Sequence, residues 1–131
     1  MLFFKKTQTI APNEAAGAHA RGELVLIDVR DAQERAQARV PGSVHIPLAQ
    51  LPERLDELPE DRPLAFICAS GARSAIAANT AAGNALSAVN VDGGLASWAR
   101  AGLPVDTGPE GTSHEPQQSR LSTKGDRSCT T

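Results

Sequence analysis

The chain has 131 residues, 40% of them hydrophobic, with 13 Lys plus Arg against 15 Asp plus Glu for a net charge of −2. This length suits one domain with a proper core and is too short for two of ordinary size, while the balanced charge, without a basic stripe interleaved with aromatics, excludes nucleic acid as an expected partner. Met1-Leu-Phe-Phe-Lys-Lys places its charges after a short apolar patch, unlike a secretory leader, and no run reaches the roughly twenty apolar residues that span a bilayer, so a cytoplasmic protein away from membranes is expected.

Strand-like and helix-like segments alternate, which predicts an α/β layer architecture with a largely parallel sheet. Residues 7–10 read as a short edge strand. Pro12 opens a helix running through Glu14 to about Ala20, and Gly22 closes it. Residues 24–27, Leu-Val-Leu-Ile, form a continuous apolar run of the kind found in strands buried on both faces, and Asp28-Val29-Arg30 carries that strand to its polar end. Asp31 and Glu34 have capping-box spacing, so a short helix is expected from Asp31 towards Arg39, stopped by Pro41-Gly42.

Residues 43–46 supply a further strand. Leu51, Leu55 and Leu58 recur at helical spacing and predict a helix over 51–58, left through Pro59 and Pro63. Residues 64–67, Leu-Ala-Phe-Ile, read as a buried strand ending at Cys68, and a helix follows from Ser74 to about Gly83-Asn84. Residues 88–91 make the last strand, Asp92-Gly93-Gly94 a turn, and residues 95–100 a final short helix with Trp98 inward. The domain is expected to end at residue 106. Residues 107–131 are polar, with Leu121 alone among the large aliphatics, and are expected to form a disordered tail.

The segment Cys68-Ala-Ser-Gly-Ala-Arg73-Ser74 carries the chemistry. Free cysteine often only fills space in a core, but here one thiol combines a strand end, a small-residue loop, an arginine and a helix start. Unpartnered N–H groups at a helix start favour the thiolate. Gly71 tolerates positive φ, and the small side chains of Ala69, Ser70 and Ala72 leave the loop amides uncovered, so the loop can curl into an anion-binding nest. Cys129 lies in the polar tail, where it is either incidental or a resolving thiol for Cys68. Three histidines, His19, His45 and His114, and no Cys-x-x-Cys pair give a metal site little support, so no metal is expected. His45 and Trp98 are read as structural.

Four separated segments together resemble the rhodanese family of sulfurtransferases: Asp28-Val29-Arg30, Val40-Pro41-Gly42-Ser43 with Ile46-Pro47, Cys68 to Ser74, and Asp92-Gly93-Gly94 with Trp98. The resemblance covers roughly residues 7–106. It implies a rhodanese-like three-layer α/β domain with a central, mainly parallel sheet of about five strands and helices on both faces. Ligands are expected at the carboxyl edge of such a sheet.

The resemblance further implies that Cys68 is the persulfide-forming nucleophile, and that Ala69, Ser70, Gly71, Ala72, Arg73 and Ser74 form the substrate-binding loop, closed by Arg73. Asp28 and Arg30 match a supporting pair near that loop; alternatively, Asp28 caps a neighbouring turn and Arg30 pairs with Glu34. Arg39 stands where many relatives carry histidine and is read as peripheral. The implied activity is ping-pong transfer of sulfane sulfur from a small anionic donor to a thiol or protein acceptor, without a cofactor. Because Ala69, Ser70 and Ala72 are neutral, amides and Arg73 must hold a dianion alone, so thiosulfate is expected to be a poor donor.

Two other functions compete. Phosphatase or arsenate reductase chemistry also sets a cysteine and an arginine around an oxyanion, but Cys68 and Arg73 enclose four residues, one fewer than the phosphatase Cys-x5-Arg loop. A non-catalytic or relay module of the same fold is the other alternative. Oligomeric state is not legible: Phe3 and Phe4 fit internal packing or contact with a second copy.

Overall fold

The structure is a computed structural model that describes residues 8–109. The amino-terminal patch, Cys129 and the part of the expected tail from residue 110 onward lie outside the described residues. Strand β1 (Thr9–Ile10) leads into helix α1 (Pro12–Ala20), then β2 (Val25–Asp28), α2 (Ala32–Gln37), β3 (Ala38–Arg39) and β4 (Val44–His45). A 3-10 helix (Leu48–Glu57), β5 (Leu64–Ile67), α3 (Ala72–Ala82), β6 (Ala88–Val91), α4 (Gly94–Arg100) and β7 (Asp106–Thr107) complete it.

Five strands form one parallel sheet in the order β1-β6-β5-β2-β4. Strand β5 lies at its centre, aligned with β2 from Val25↔Leu64 to Asp28↔Ile67 and with β6 from Leu64↔Ala88 to Phe66↔Asn90. Both faces are covered, which explains the unbroken apolar run of β5, buried at every position. Alternation along β5 divides the core into two layers. Leu64, Phe66 and Cys68 pack with Ile27, Val29, Leu51 and Leu58, and with Ala77, Ala78 and Ala81 of α3. Ala65 and Ile67 pack on the opposite face with Ala15 of α1, Trp98 of α4, Leu26 and Val91. Trp98 is buried, and its Nε1–H donates to the Pro104 carbonyl at 2.9 Å.

Three elements differ from the sequence reading. The helix expected over 51–58 is a 3-10 helix that begins at Leu48. Pro52 lies inside it, and a proline there withholds an amide and crowds the carbonyl four residues back, which disfavours an α-helix. The tighter i→i+3 winding still turns Leu51 and Leu55 to the core, and Leu58 follows them.

Helix α2 stops at Gln37 rather than continuing to Arg39. Arg39 is buried rather than peripheral: its Nη1 donates to the carbonyls of Arg35 at 3.1 Å and Ala36 at 3.4 Å, which the helix end leaves open, and to Gly108 at 2.6 Å. The backbone of Ala38–Arg39 thereby pairs antiparallel with Asp106–Thr107, so ordered structure continues past residue 106.

Helix α3 begins two residues before Ser74, at Ala72, with Gly71 as its N-cap at φ +110°. This residue has the positive φ anticipated for the loop. It also brings the first turn of the helix up to the cysteine.

Candidate active site

Cys68 follows the last residue of β5 and is buried at the carboxyl edge of the sheet. Its sulfur is the focus of the turn into α3. The Gly71 amide donates to Sγ at 3.1 Å, the Ser74 amide at 3.4 Å, and the Ser74 hydroxyl lies 3.3 Å away. Burial pushes the thiol pKa up, but these donors and the Ser70 amide more than offset it, so the pKa falls below the ordinary value. The arrangement stabilises a thiolate, or another negative charge on sulfur, with dipoles already in place. Of the loop side chains, Ser70 and Ala72 are exposed, while Ala69 and Arg73 are half-buried.

Two neighbours that the sequence reading did not single out, or treated only as packing, hold the loop. Asn90 on β6 donates from Nδ2 to the Gly71 carbonyl at 3.1 Å, and its Oδ1 lies 2.5 Å from the Ser74 hydroxyl. Gly94 opens α4 at φ +62°, and its Leu95 and Ala96 amides bind the carbonyls of Cys68 at 2.7 Å and Ala69 at 3.1 Å. A Cβ at Gly94 would sit 2.5 Å from the Cys68 oxygen and 2.7 Å from the Ala69 carbonyl carbon. The Gly93-Gly94 pair therefore does more than turn the chain: it lets α4 seat directly on the cysteine segment. Asn90 carries no motif that would mark it in a single sequence, whereas the double glycine does mark a close approach.

The Arg73 guanidinium is engaged by a carboxylate from α2. Its Nη1 and Nη2 donate to the two carboxylate oxygens of Glu34 at 2.7 and 2.9 Å, a bidentate pair across 39 residues of sequence. The reading that paired Glu34 with Arg30 is thus corrected, since Arg30 reaches only the Glu34 backbone carbonyl, at 3.4 Å. Hydrogen bonds from Arg73 hold the Glu34 carboxyl at about 2, well below its ordinary value, against the opposing effect of burial. The same carboxylate closes the capping box foreseen at α2: Asp31 N–H donates to Glu34 Oε1 at 3.1 Å, and Glu34 N–H to Asp31 Oδ1 at 2.8 Å.

Asp28 and Arg30 form a buried pair beside this arrangement. Arg30 Nε and Nη2 contact Asp28 Oδ1 and Oδ2 at 3.0 and 2.8 Å, and the Arg30 amide binds Asp28 Oδ1 at 3.0 Å, closing a turn as the alternative reading held. Arg30 also donates to the Ala38 carbonyl at 2.6 Å, and its own carbonyl lies 2.8 Å from His45 Nε2. Arg35, overlooked in the sequence, is buried too and shares Asp28 Oδ2 at 3.2 Å while binding the Ser43 hydroxyl and carbonyl. The cluster fixes where β2 ends and α2 begins. Arg30 donates to the Glu34 carbonyl, and the Glu34 carboxylate in turn binds Arg73 of the cysteine loop.

A parallel sheet with covered faces, presenting at its carboxyl edge a cysteine wrapped by helix-start amides, defines a class of α/β domain built around a cysteine loop. The rhodanese-like domain profile matches residues 11–101, and the chain belongs to that family. A sulfurtransferase from Allochromatium vinosum is 38% identical over 93 residues, covering 68% of this chain and 83% of its own. The thiosulfate sulfurtransferase GlpE of Pseudomonas savastanoi pv. phaseolicola is 36% identical over 108 residues, 82% of this chain and 97% of its own. Among solved structures, a rhodanese-related protein from Thermoplasma volcanium superposes with a TM-score of 0.70 at 32% identity, covering 75% of this chain and 96% of that one. None of the helices among the described residues is long and apolar enough to cross a membrane.

Proposed function

We propose that this protein is a cytoplasmic sulfurtransferase that carries sulfane sulfur as a persulfide on Cys68. The observation that carries the reading is the convergence of the Gly71 amide, the Ser74 amide and the Ser74 hydroxyl on one sulfur atom. The Cys68 thiolate attacks the outer sulfur of a donor; a new S–S bond forms as the donor's own S–S bond breaks, and the leaving group departs with the bonding pair. Thiosulfate releases sulfite, and a hydropersulfide releases a thiolate. Both leave as stable anions, so the step needs no neighbouring acid.

An acceptor thiolate, or cyanide in an assay, then attacks the terminal sulfur and restores the Cys68 thiolate, completing a ping-pong cycle. The loop formed by Ala69, Ser70, Gly71, Ala72, Arg73 and Ser74 surrounds that terminal sulfur, its amides acting as a prearranged anion hole and its small side chains leaving the mouth open. Asp28 and Arg30 support the loop from behind. Phosphoryl transfer fits less well, because both Arg73 nitrogens that would grip a phosphoryl group are bound to Glu34. A thiol or a partner protein is the acceptor class.

Incubation with thiosulfate, and separately with a hydropersulfide, followed by intact-mass measurement tests the proposal. The expected product gains one sulfur atom, loses it to cyanide, and does not form in Cys68→Ala. A protein that takes up sulfur from neither donor is not a sulfurtransferase. Turnover of p-nitrophenyl phosphate dependent on Cys68 would point to the phosphatase reading instead.

A further inference from the structure

Arg73 is the one cationic side chain between Cys68 and Ser74, and in a free state it would draw an anionic donor to the cradle. Its guanidinium is instead neutralised at short range by Glu34, through contacts of 2.7 and 2.9 Å. Glu34 cannot easily swing away, since the Asp31 amide grips the same carboxylate at 3.1 Å and Asp31 Oδ1 accepts from the Glu34 amide. Asp31 itself is exposed at this edge and adds a further negative charge. Arg30, which reaches the Glu34 carbonyl, is itself paired with Asp28 at 2.8 Å. With Cys68 as thiolate, the charges of Cys68, Arg73 and Glu34 sum to a net negative value. Thiosulfate arrives as a dianion and is repelled by such a mouth, whereas a hydropersulfide reacting as neutral R–S–SH is not.

We infer that Glu34 is a specificity-determining residue: by cancelling Arg73 it turns the Cys68 site away from dianionic donors and towards neutral sulfane donors of the hydropersulfide class. This rests on the persulfide reading above. The step it selects is balanced. The Cys68 thiolate bonds to the terminal sulfur of R–S–SH, the R–S bond to that sulfur breaks, R–S⁻ leaves with the electron pair, and Cys68–S–SH remains. No external oxidant or reductant enters.

The test measures kcat/KM for thiosulfate and for 2-hydroxyethyl hydropersulfide in the full chain, in Glu34→Gln, and in a Glu34→Gln, Arg73→Gln double variant. Glutamine keeps the length and an oxygen for the Asp31 amide, so the helix cap is retained. The thiosulfate-to-hydropersulfide ratio should rise about tenfold in Glu34→Gln, the order expected when one charge is removed beside a dianion in a half-exposed site. The rise should vanish in the double variant.

A ratio unchanged in Glu34→Gln, including a parallel loss with both donors, overturns the inference, as does a rise that survives without Arg73. Should Glu34→Gln not fold, the unmodified chain still decides: its kcat/KM for thiosulfate should stay flat or rise with ionic strength, and a steep fall would reveal an uncancelled cation and refute the idea. Sulfur uptake with the wrong selectivity overturns only the role of Glu34. Uptake from neither donor overturns the sulfurtransferase reading itself.

Discussion

The Ser74 hydroxyl lies 2.5 Å from Asn90 Oδ1 and 3.3 Å from Cys68 Sγ, with one proton to offer two acceptors. A thiolate is the more demanding acceptor because it carries full charge, so ionisation of Cys68 draws the proton towards sulfur. Ser74→Ala removes that donor while leaving both amides. The expected result is an alkylation-versus-pH profile for Cys68 displaced to higher pH, with sulfur uptake at neutral pH slowed about tenfold, the order implied by one lost hydrogen bond to a charged group. An unchanged profile would show that the amides alone set the thiol.

Asn90 acts on the sulfur only through Ser74 and Gly71. Asn90→Leu leaves the Gly71 carbonyl and the Ser74 hydroxyl without that partner at a mostly buried position, and should lower unfolding stability by about 1–3 kcal/mol. Urea denaturation measures this. The same variant should also shift the Cys68 alkylation profile, whereas a purely structural asparagine would lower stability without moving it.

Gly94 and Gly22 separate close approach from backbone strain. Both have positive φ, +62° and +74°, but a Cβ at Gly22 meets nothing within 4 Å, whereas one at Gly94 would strike the Cys68 and Ala69 backbone. Gly22→Ala should cost about 1–2 kcal/mol, from the left-handed conformation alone. Gly94→Ala should cost clearly more in thermal or urea unfolding and should also impair sulfur uptake. Equal losses at the two sites would mean that α4 can lift off the loop without consequence.

The buried Asp28 carboxylate faces two guanidinium groups, Arg30 at 2.8 Å and Arg35 at 3.2 Å. Asp28→Asn leaves both cations buried without their counter-charge and should destabilise the fold by about 3–5 kcal/mol, a large share of the stability of a domain this size. Chemical denaturation measures the change. A loss under 1 kcal/mol would show that the carbonyl partners suffice.

The carboxyl of Glu34 is held at about 2, against 4.5 for an ordinary carboxyl in this context. A group whose folded value is depressed stabilises the fold above its unfolded value and loses that contribution as pH falls through the folded one. The Glu34–Arg73 clamp is therefore intact at neutral pH and gives way between about 4.5 and about 2. Carboxyl carbon NMR should place the Glu34 midpoint near the lower value, returning towards the upper one in Arg73→Ala. The stability change will be small, because the two side chains are 31% and 38% exposed. A midpoint near 4.5 in the unaltered chain would mean that the clamp does not persist in solution.

Much of this domain was legible before the fold. Continuous apolar runs at 24–27 and 64–67 announced buried parallel strands, and the Asp31/Glu34 spacing announced a helix cap that the structure contains. Pro52 argues against an α-helix over 51–58, while the leucine spacing taken alone favours one. The β3–β7 pair left no local signal. Two-residue strands separated by more than sixty residues have no periodicity to detect, and Arg39, which binds carbonyls at both their ends, looks like any surface arginine.

The order of residues around Cys68 sets a thiol at a strand end before a helix start, because apolar runs, glycine and small side chains act over a few neighbouring residues. The family resemblance rests on the same kind of local signal. Which distant side chains meet that thiol and its arginine depends instead on how the strands and helices pack. Asn90 reaches the loop because β6 lies beside β5, and Gly94 because α4 docks at the sheet edge. Glu34 meets Arg73 because the turns after β2 and β5 emerge side by side from adjacent parallel strands. The charge that Arg73 presents to a donor is a sum over residues far apart in the chain, and such a sum exists only once the strands are in register.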